Sequence, residues 1–222
     1  SGRYREFWQA GVELIGPPHE EAEAEAIALA MATLERLGLE GFEVHIGHIG
    51  VLRRILEVGG VREEDQNPVM NAIDKGEEAA LKGLLEKLQV PEESRGVLLA
   101  ILELEGPKRE VLGKARALLA GRTGVLEELE RFERVLCALG FFGVEGYRVD
   151  LGIARGLDYY TGTVFEIYAP RLGAQKQICG GGSYSLTETL GGVPTPTCGF
   201  AFGFDRVLLA LEAEGRKLGG DK

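Results

Sequence analysis

Cysteine, histidine and positive charge are all in short supply in this sequence. Cys137, Cys179 and Cys198 are an odd, widely spaced set among 222 residues. They form neither a metal-ligand cluster nor a disulfide framework, which fits a reducing cytosol. His19, His45 and His48 are too few and too scattered for a metal site. His45 and His48, alternating around Ile46 and Gly47, read as polar residues at a strand end. No apolar run approaches the roughly 18 residues that span a bilayer. The first residues are polar and basic rather than a signal sequence. A soluble, cytoplasmic protein with no membrane partner is expected. Lys and Arg number 25 against 35 Asp and Glu, a net charge of -10. That balance argues against a surface that grips nucleic acid everywhere, while leaving room for a local basic patch.

What is present is ordinary for a globular chain: 45% hydrophobic and 27% charged residues, long enough for one sizeable core or a core with a small module. The 33 glycines cluster in the last third, where they signal tight turns and close approach of backbone to ligands. Residues 3–16 alternate as a long strand, with Phe7, Gln9, Gly11 and Glu13 on one face and Trp8, Ala10, Val12 and Leu14 on the other. Gln and Glu beside Gly suggest a face lining a polar pocket. After Pro17 and Pro18, a helix with acidic residues in its first turn runs to Gly38. Residues 42–48 read as a short strand and VLRRILEVGG as a helix stopped by glycine. Helical periodicity dominates from Asp65 to Leu139, and strand signals vanish. This divides the chain into a first core part (1–64), a helical insertion (65–139) and a second core part (140–222). YRVDLGIA, GTVFEIYA and KQICGG then read as three short strands, antiparallel neighbours joined by turns. TCGFAFGF reads as a buried strand running into the helix DRVLLALEAEG, with Asp205 as its cap.

Three stretches set polar or charged residues among glycines inside otherwise apolar strands. The first carries Arg3, Arg5, Gln9 and Glu13. The second, residues 154–166, carries Arg155, Asp158, Tyr159 and Tyr160. The third carries Gly180, Gly181, Gly182, Tyr184 and Arg206. Arginine forks bind phosphate bidentately and stay charged, and carboxylate and amide groups hold an ammonium. Tyrosine offers a flat apolar face with a hydroxyl, and glycine lets a ligand lie on bare backbone. Together they suit a nucleoside triphosphate and a small amino acid bound side by side.

GRYREFWQAGVELIG resembles the second half of motif 2 of histidyl-tRNA synthetases. RGLDYYTGTVFE matches a signature particular to that family, and GGGSYSL with GFAFGFDRVLLALE is similar to its second signature and to class II motif 3. FEVHIGHIGVLRRIL resembles the linking strand and helix. The resemblance implies an α+β fold, a class II synthetase-type antiparallel sheet flanked by helices, with a helical insertion. It implies activation of histidine with ATP to histidyl-adenylate and transfer to tRNA(His), with Mg²⁺ accompanying ATP and no tightly bound prosthetic group. Arg155 would be the catalytic residue at the α-phosphate, and Arg3 and Arg206 would bind ATP. Gln9 and Glu13 would hold the α-ammonium of histidine, and Tyr159, Tyr160, Gly181, Gly182 and Tyr184 would complete its pocket. A homodimer is implied for the full-length protein. The family commonly has GGRYD where this sequence has Gly181-Gly182-Ser183-Tyr184-Ser185. The first motif 2 arginine would lie upstream of Ser1, so the chain alone is expected to be weakly active or inactive.

Two other functions fit parts of the pattern. One is the synthetase-like, histidine-sensing regulatory subunit of ATP phosphoribosyltransferase, which tends to lose the arginine that stands here as Arg155. The other is a tRNA-contact fragment using Lys82, Lys108, Arg109, Lys114, Arg116 and Arg122 of the insertion.

Overall fold

The computed structural model describes residues 6–16, 19–154, 159–187 and 190–216. Alternation at the start of the chain yields β1 (Gln9–Ile15), and the alanine-rich segment after it forms α1 (Glu20–Arg36). Glu20, Glu21 and Glu23 occupy the first turn of α1, where the helix dipole favours negative charge. Gly38 follows its end at φ +81, a left-handed conformation that lets the chain leave the helix. Next come β2 (Glu43–His48) and α2 (Ile49–Val58).

The helical stretch comprises α3 (Glu63–Asp74), α4 (Glu78–Lys87), α5 (Glu92–Leu102), α6 (Lys108–Leu118) and α7 (Thr123–Phe141). It is not free of strand: β3 (Glu105–Gly106) pairs with a later strand, and two residues are too few to show a periodicity. The second half supplies β4 (Tyr147–Asp150), β5 (Tyr160–Tyr168), a 3₁₀ turn (Pro170–Gln175), β6 (Gln177–Tyr184), β7 (Thr197–Gly203) and α8 (Phe204–Ala213).

Among the described residues the strands form one seven-stranded sheet in the order β1-β7-β6-β5-β2-β4-β3. It is antiparallel except at β2 and β4, which run parallel. β4 is therefore not a neighbour of β5, as its sequence position suggests; β2 lies between them. Two elements brought together across about 100 residues of helix decide that order, and no local pattern records it. At the start of α8 the expected cap also differs. Gly203 is the capping residue, with no side-chain cap bond, and Asp205 lies in the first turn, where it acts through the dipole.

One face of the sheet is closed by helices. α1 packs on β6, β7 and α7, while α2 packs on β5 and α7. Phe165, Phe200 and Phe202 meet edge-to-face beneath them. α8 rests on β6, β7 and the 3₁₀ turn, and Glu214 just beyond it accepts hydrogen bonds from the backbone N–H groups of Glu40 and Gly41. Among the described residues no helix is long and apolar enough to cross a membrane.

Candidate functional site

The ladder register decides which residues share the uncovered face. Glu13 lies opposite Gly199, Gly199 opposite Gly182, and Gly182 opposite Val164, so all four project to one side. Tyr184 stands two residues from Gly182 on that side, paired with Tyr160. This produces a floor of backbone with a polar and aromatic wall. A Cβ on Gly199 would fall 2.0 Å from Glu13 Oε2, so the carboxylate lies directly over that glycine. A Cβ on Gly182 would meet the Thr163 carbonyl oxygen at 2.4 Å and the Tyr160 ring at 3.0 Å. Only glycine permits these approaches.

The Tyr184 hydroxyl donates to Glu13 Oε2 at 2.6 Å. Tyr159 packs against Tyr160 and Tyr184 with ring centroids 4.8 and 5.3 Å apart, and Tyr160 and Tyr184 stand edge-on at 6.3 Å. Burial raises the Tyr184 pKa, and the Glu13 carboxylate that accepts its hydrogen bond raises it further. The phenol therefore stays a donor at any physiological pH. An exposed carboxylate fixed by a phenol, within an aromatic cage, can accept from an N–H of a planar cationic or neutral ring.

The structure brings together Glu13, Tyr159, Tyr160, Gly182 and Tyr184. Gln9 is on the same face, four residues along β1 from Glu13 and so about 13 Å away. It sits opposite Gly203, beside which the Arg206 side chain runs. Gly181 departs from expectation. Its side faces the helices, where a Cβ would be 2.6 Å from Phe200 Cβ and 2.8 Å from the Phe165 ring. It serves core packing, because neighbours on a strand point to opposite faces. Arg206 is half-buried, and its Nη1 donates to the Gln177 carbonyl oxygen at 2.7 Å, holding the guanidinium at the end of the floor away from the tyrosines. Arg3 and Arg155 lie outside the described residues.

A feature that periodicity does not flag lies behind the floor. Glu23, from the first turn of α1, is buried against β5 and accepts from Arg131 Nη2 of α7 at 2.9 Å. Burial raises its carboxyl pKa, opposed by Thr163 and Arg131. His48 is fully buried beside Phe132, with Glu128 Oε2 4.0 Å from Nδ1, and burial followed by the Arg131 charge lowers its pKa to about 3. Burial also pushes the Cys198 thiol up to about 12. Among the described residues no group of three or more His, Cys, Asp or Glu could hold a metal ion.

The basic residues of the helical stretch are largely neutralised. Lys82 pairs with Glu78, Lys114 with Glu110, Arg116 with Glu133 and Arg122 with Glu93. These pairs leave little of the counter-ion-releasing charge that nucleic-acid binding requires.

The sequence profile described as Histidyl-tRNA synthetase matches residues 1–207. The chain belongs to the histidyl-tRNA synthetase family. The histidine–tRNA ligase of Methanosarcina acetivorans is 46% identical over 207 residues, which cover 93% of this chain and 48% of that protein. The ligase of Archaeoglobus fulgidus is 46% identical over 213 residues, covering 96% of this chain and 49% of that one. The chain thus spans about half the length of the curated relatives it matches. Among solved structures, a histidyl-tRNA synthetase from Nostoc sp. PCC 7120 superposes with a TM-score of 0.80 at 26% identity, covering 96% of this chain and 52% of that one. A Bacillus halodurans protein described as an ATP phosphoribosyltransferase regulatory subunit/histidyl-tRNA synthetase gives 0.79 at 30% identity, covering 92% and 53%. The class II synthetase fold expected from the motifs is therefore the fold observed.

Proposed function

We propose that this chain is the histidine- and ATP-binding part of a histidine–tRNA ligase. The observation that carries the proposal is the Glu13–Tyr184 pair within the tyrosine cage, standing on the floor of Gly182 and Gly199. Histidine would lie along this floor. Gln9 and Glu13 are too far apart to share one ammonium, so their roles divide. Glu13, steadied by Tyr184, accepts from the imidazole N–H, and Gln9 faces the α-ammonium. A ring without that N–H would cover the carboxylate while leaving it only the Tyr184 hydrogen bond, a basis for rejection.

ATP would bind toward Arg206, with Arg3 and Arg155 as further phosphate ligands, Arg155 at the α-phosphate. The histidine carboxylate is already a nucleophile at neutral pH and needs no general base. Attack of a carboxylate oxygen on the α-phosphorus, which breaks the α–β phosphoanhydride bond and releases pyrophosphate, then depends on alignment and on guanidinium groups fixed where charge builds. The Arg206–Gln177 bond supplies such fixation in advance. Mg²⁺ would arrive with ATP on phosphate oxygens rather than in a protein-built cage. The helical stretch 65–139 is proposed as an insertion into the core, with tRNA(His) as the acceptor substrate, a homodimer as the assembly and the cytoplasm as the location. β1 supports this picture. Among the described residues it pairs only with β7, and Phe7, Trp8 and Ile15 are 62%, 70% and 63% exposed, a surface suited to a further strand or subunit.

The names of the relatives favour the ligase over the regulatory reading. Titration calorimetry decides between them. Histidine binding that is strengthened by ATP supports the ligase. Histidine binding with no response to ATP supports the sensor. No histidine binding at all contradicts both.

A further inference from the structure

The β5–β6 ladder is broken at the histidine site. Tyr160 pairs with Tyr184 and Val164 with Gly182, so Thr161, Gly162 and Thr163 stand opposite the single residue Ser183. The regular backbone bonds that would fix the two tyrosines relative to Gly182 are therefore interrupted where their spacing matters. Bulges of this kind re-aim side chains beside functional sites, and something else must hold them.

On the helix side the gap is filled by polar side chains. Ser183 Oγ donates to the Thr163 carbonyl oxygen at 3.4 Å, and Thr161 Oγ1 donates to the Ser183 carbonyl oxygen at 3.5 Å. A Cβ on Gly162 would fall 2.4 Å from Ser183 Oγ and 3.7 Å from Arg131 Nη2, so the guanidinium lies against the bulge itself. Thr163 turns toward the Glu23 carboxylate, although among the described residues neither Glu23 Oε2 nor Thr163 Oγ1 completes a well-formed bond. Glu23 is 7% exposed and takes a hydrogen bond from Arg131. Two rigid helices thus meet the bulge through one ion pair. A second pair, Arg134 to Glu20, joins the same two helices through more exposed side chains.

We propose that Glu23 and Arg131 are positioning residues that clamp the β5 bulge from behind and so set the spacing of Tyr160 and Tyr184 in the histidine pocket. The pair is asymmetric, a buried carboxylate held by a partly exposed guanidinium. Losing Arg131 leaves the buried Glu23 carboxylate to find solvent or a proton, losing Glu23 releases the guanidinium from the bulge, and in either case the neighbouring bulge yields. The proposal rests on the histidine reading of the front face, yet the clamp itself has a readout that does not depend on that reading.

The test compares Glu23→Gln, Arg131→Met, Arg131→Lys and Arg134→Met in the whole chain. Amide hydrogen exchange is followed by peptide, and histidine affinity by calorimetry. Glu23→Gln and Arg131→Met should speed exchange in peptides 160–164 and 182–185 at least about tenfold more than in β2 and α2, and weaken histidine binding about 10- to 100-fold, the range expected when a site is misplaced. Arg131→Lys should restore part of both. Arg134→Met should leave both unchanged. Exchange that rises uniformly across the sheet, or not at all, overturns the clamp. If the wild-type chain fails to bind histidine, the functional reading falls while the exchange pattern still decides the clamp.

Discussion

The two faces of strands β5, β6 and β7 are built from alternate residues of the same segments and do opposite things. Toward the helices, Phe165, Phe200 and Phe202 interlock over Gly181, and every large side chain there is buried. Toward the other side, Gly182 and Gly199 leave the backbone bare between the buried Val164 and a rim of Glu13 and tyrosines. Adjacent glycines therefore have different reasons to be glycine. Gly181 makes room for phenylalanine, whereas Gly182 makes room for the Tyr160 ring. A sheet that is core on one side and, as proposed, a binding platform on the other needs both.

Substitutions can break that comparison, beginning with the covered face. Phe165→Ala should cost about 3–5 kcal/mol, the usual range for emptying a packed aromatic site. Urea unfolding measures the loss, and histidine affinity of the remaining folded protein should stay within a few-fold. Gly181→Ala and Gly182→Ala form a sharper pair. Each overpacks the sheet and should cost about 1–3 kcal/mol. Only Gly182→Ala should also abolish measurable histidine binding in calorimetry, because its added methyl displaces the Tyr160 ring. Equal binding losses in the two variants would dissolve the distinction between the faces.

The acid stability of the chain tests the buried polar groups on the helix side. His48 titrates near 3 when folded, against the usual 6.5 for the unfolded chain. Below 6.5 the unfolded state binds more protons, so its contribution to stability is full above pH 6.5 and falls as pH drops toward 3. The slope approaches about 1.4 kcal/mol per pH unit. Glu23 acts in the opposite sense. Its raised pKa makes the folded state take up the proton first, which adds stability on acidification. The difference between wild type and His48→Gln isolates the histidine: the variant should lose less stability between pH 6.5 and 4 in denaturant titrations.

Much of this was readable in advance where periodicity or a tight motif speaks. The strand carrying Gln9 and Glu13 on one face and the helix ending at Gly38 stand where the pattern placed them, while Tyr160 and Tyr184 belong to strands that run two and three residues beyond those read from the pattern. What was not readable depends on long-range pairing. β2 enters the sheet between β4 and β5, and no local feature of residues 43–48 announces it. The facing of Gly181 follows from ladder register, which a run of three glycines does not reveal. Glu23 looked like one more acidic residue in a helix's first turn; only the approach of α7 makes it a buried partner of Arg131. The separation of Gln9 from Glu13 was implicit in strand geometry, since four residues of β-strand exceed the reach of one ammonium.

The central claim is that Glu13, held by Tyr184, recognises the imidazole ring of histidine. Its most direct test is calorimetric titration of histidine into the wild-type chain and into Glu13→Gln, which keeps the side chain's shape and removes its charge. One-to-one binding by the wild type, weakened at least about tenfold in the variant, a loss of roughly 1.4 kcal/mol, is the predicted result. Equal affinities in the two proteins would contradict the account.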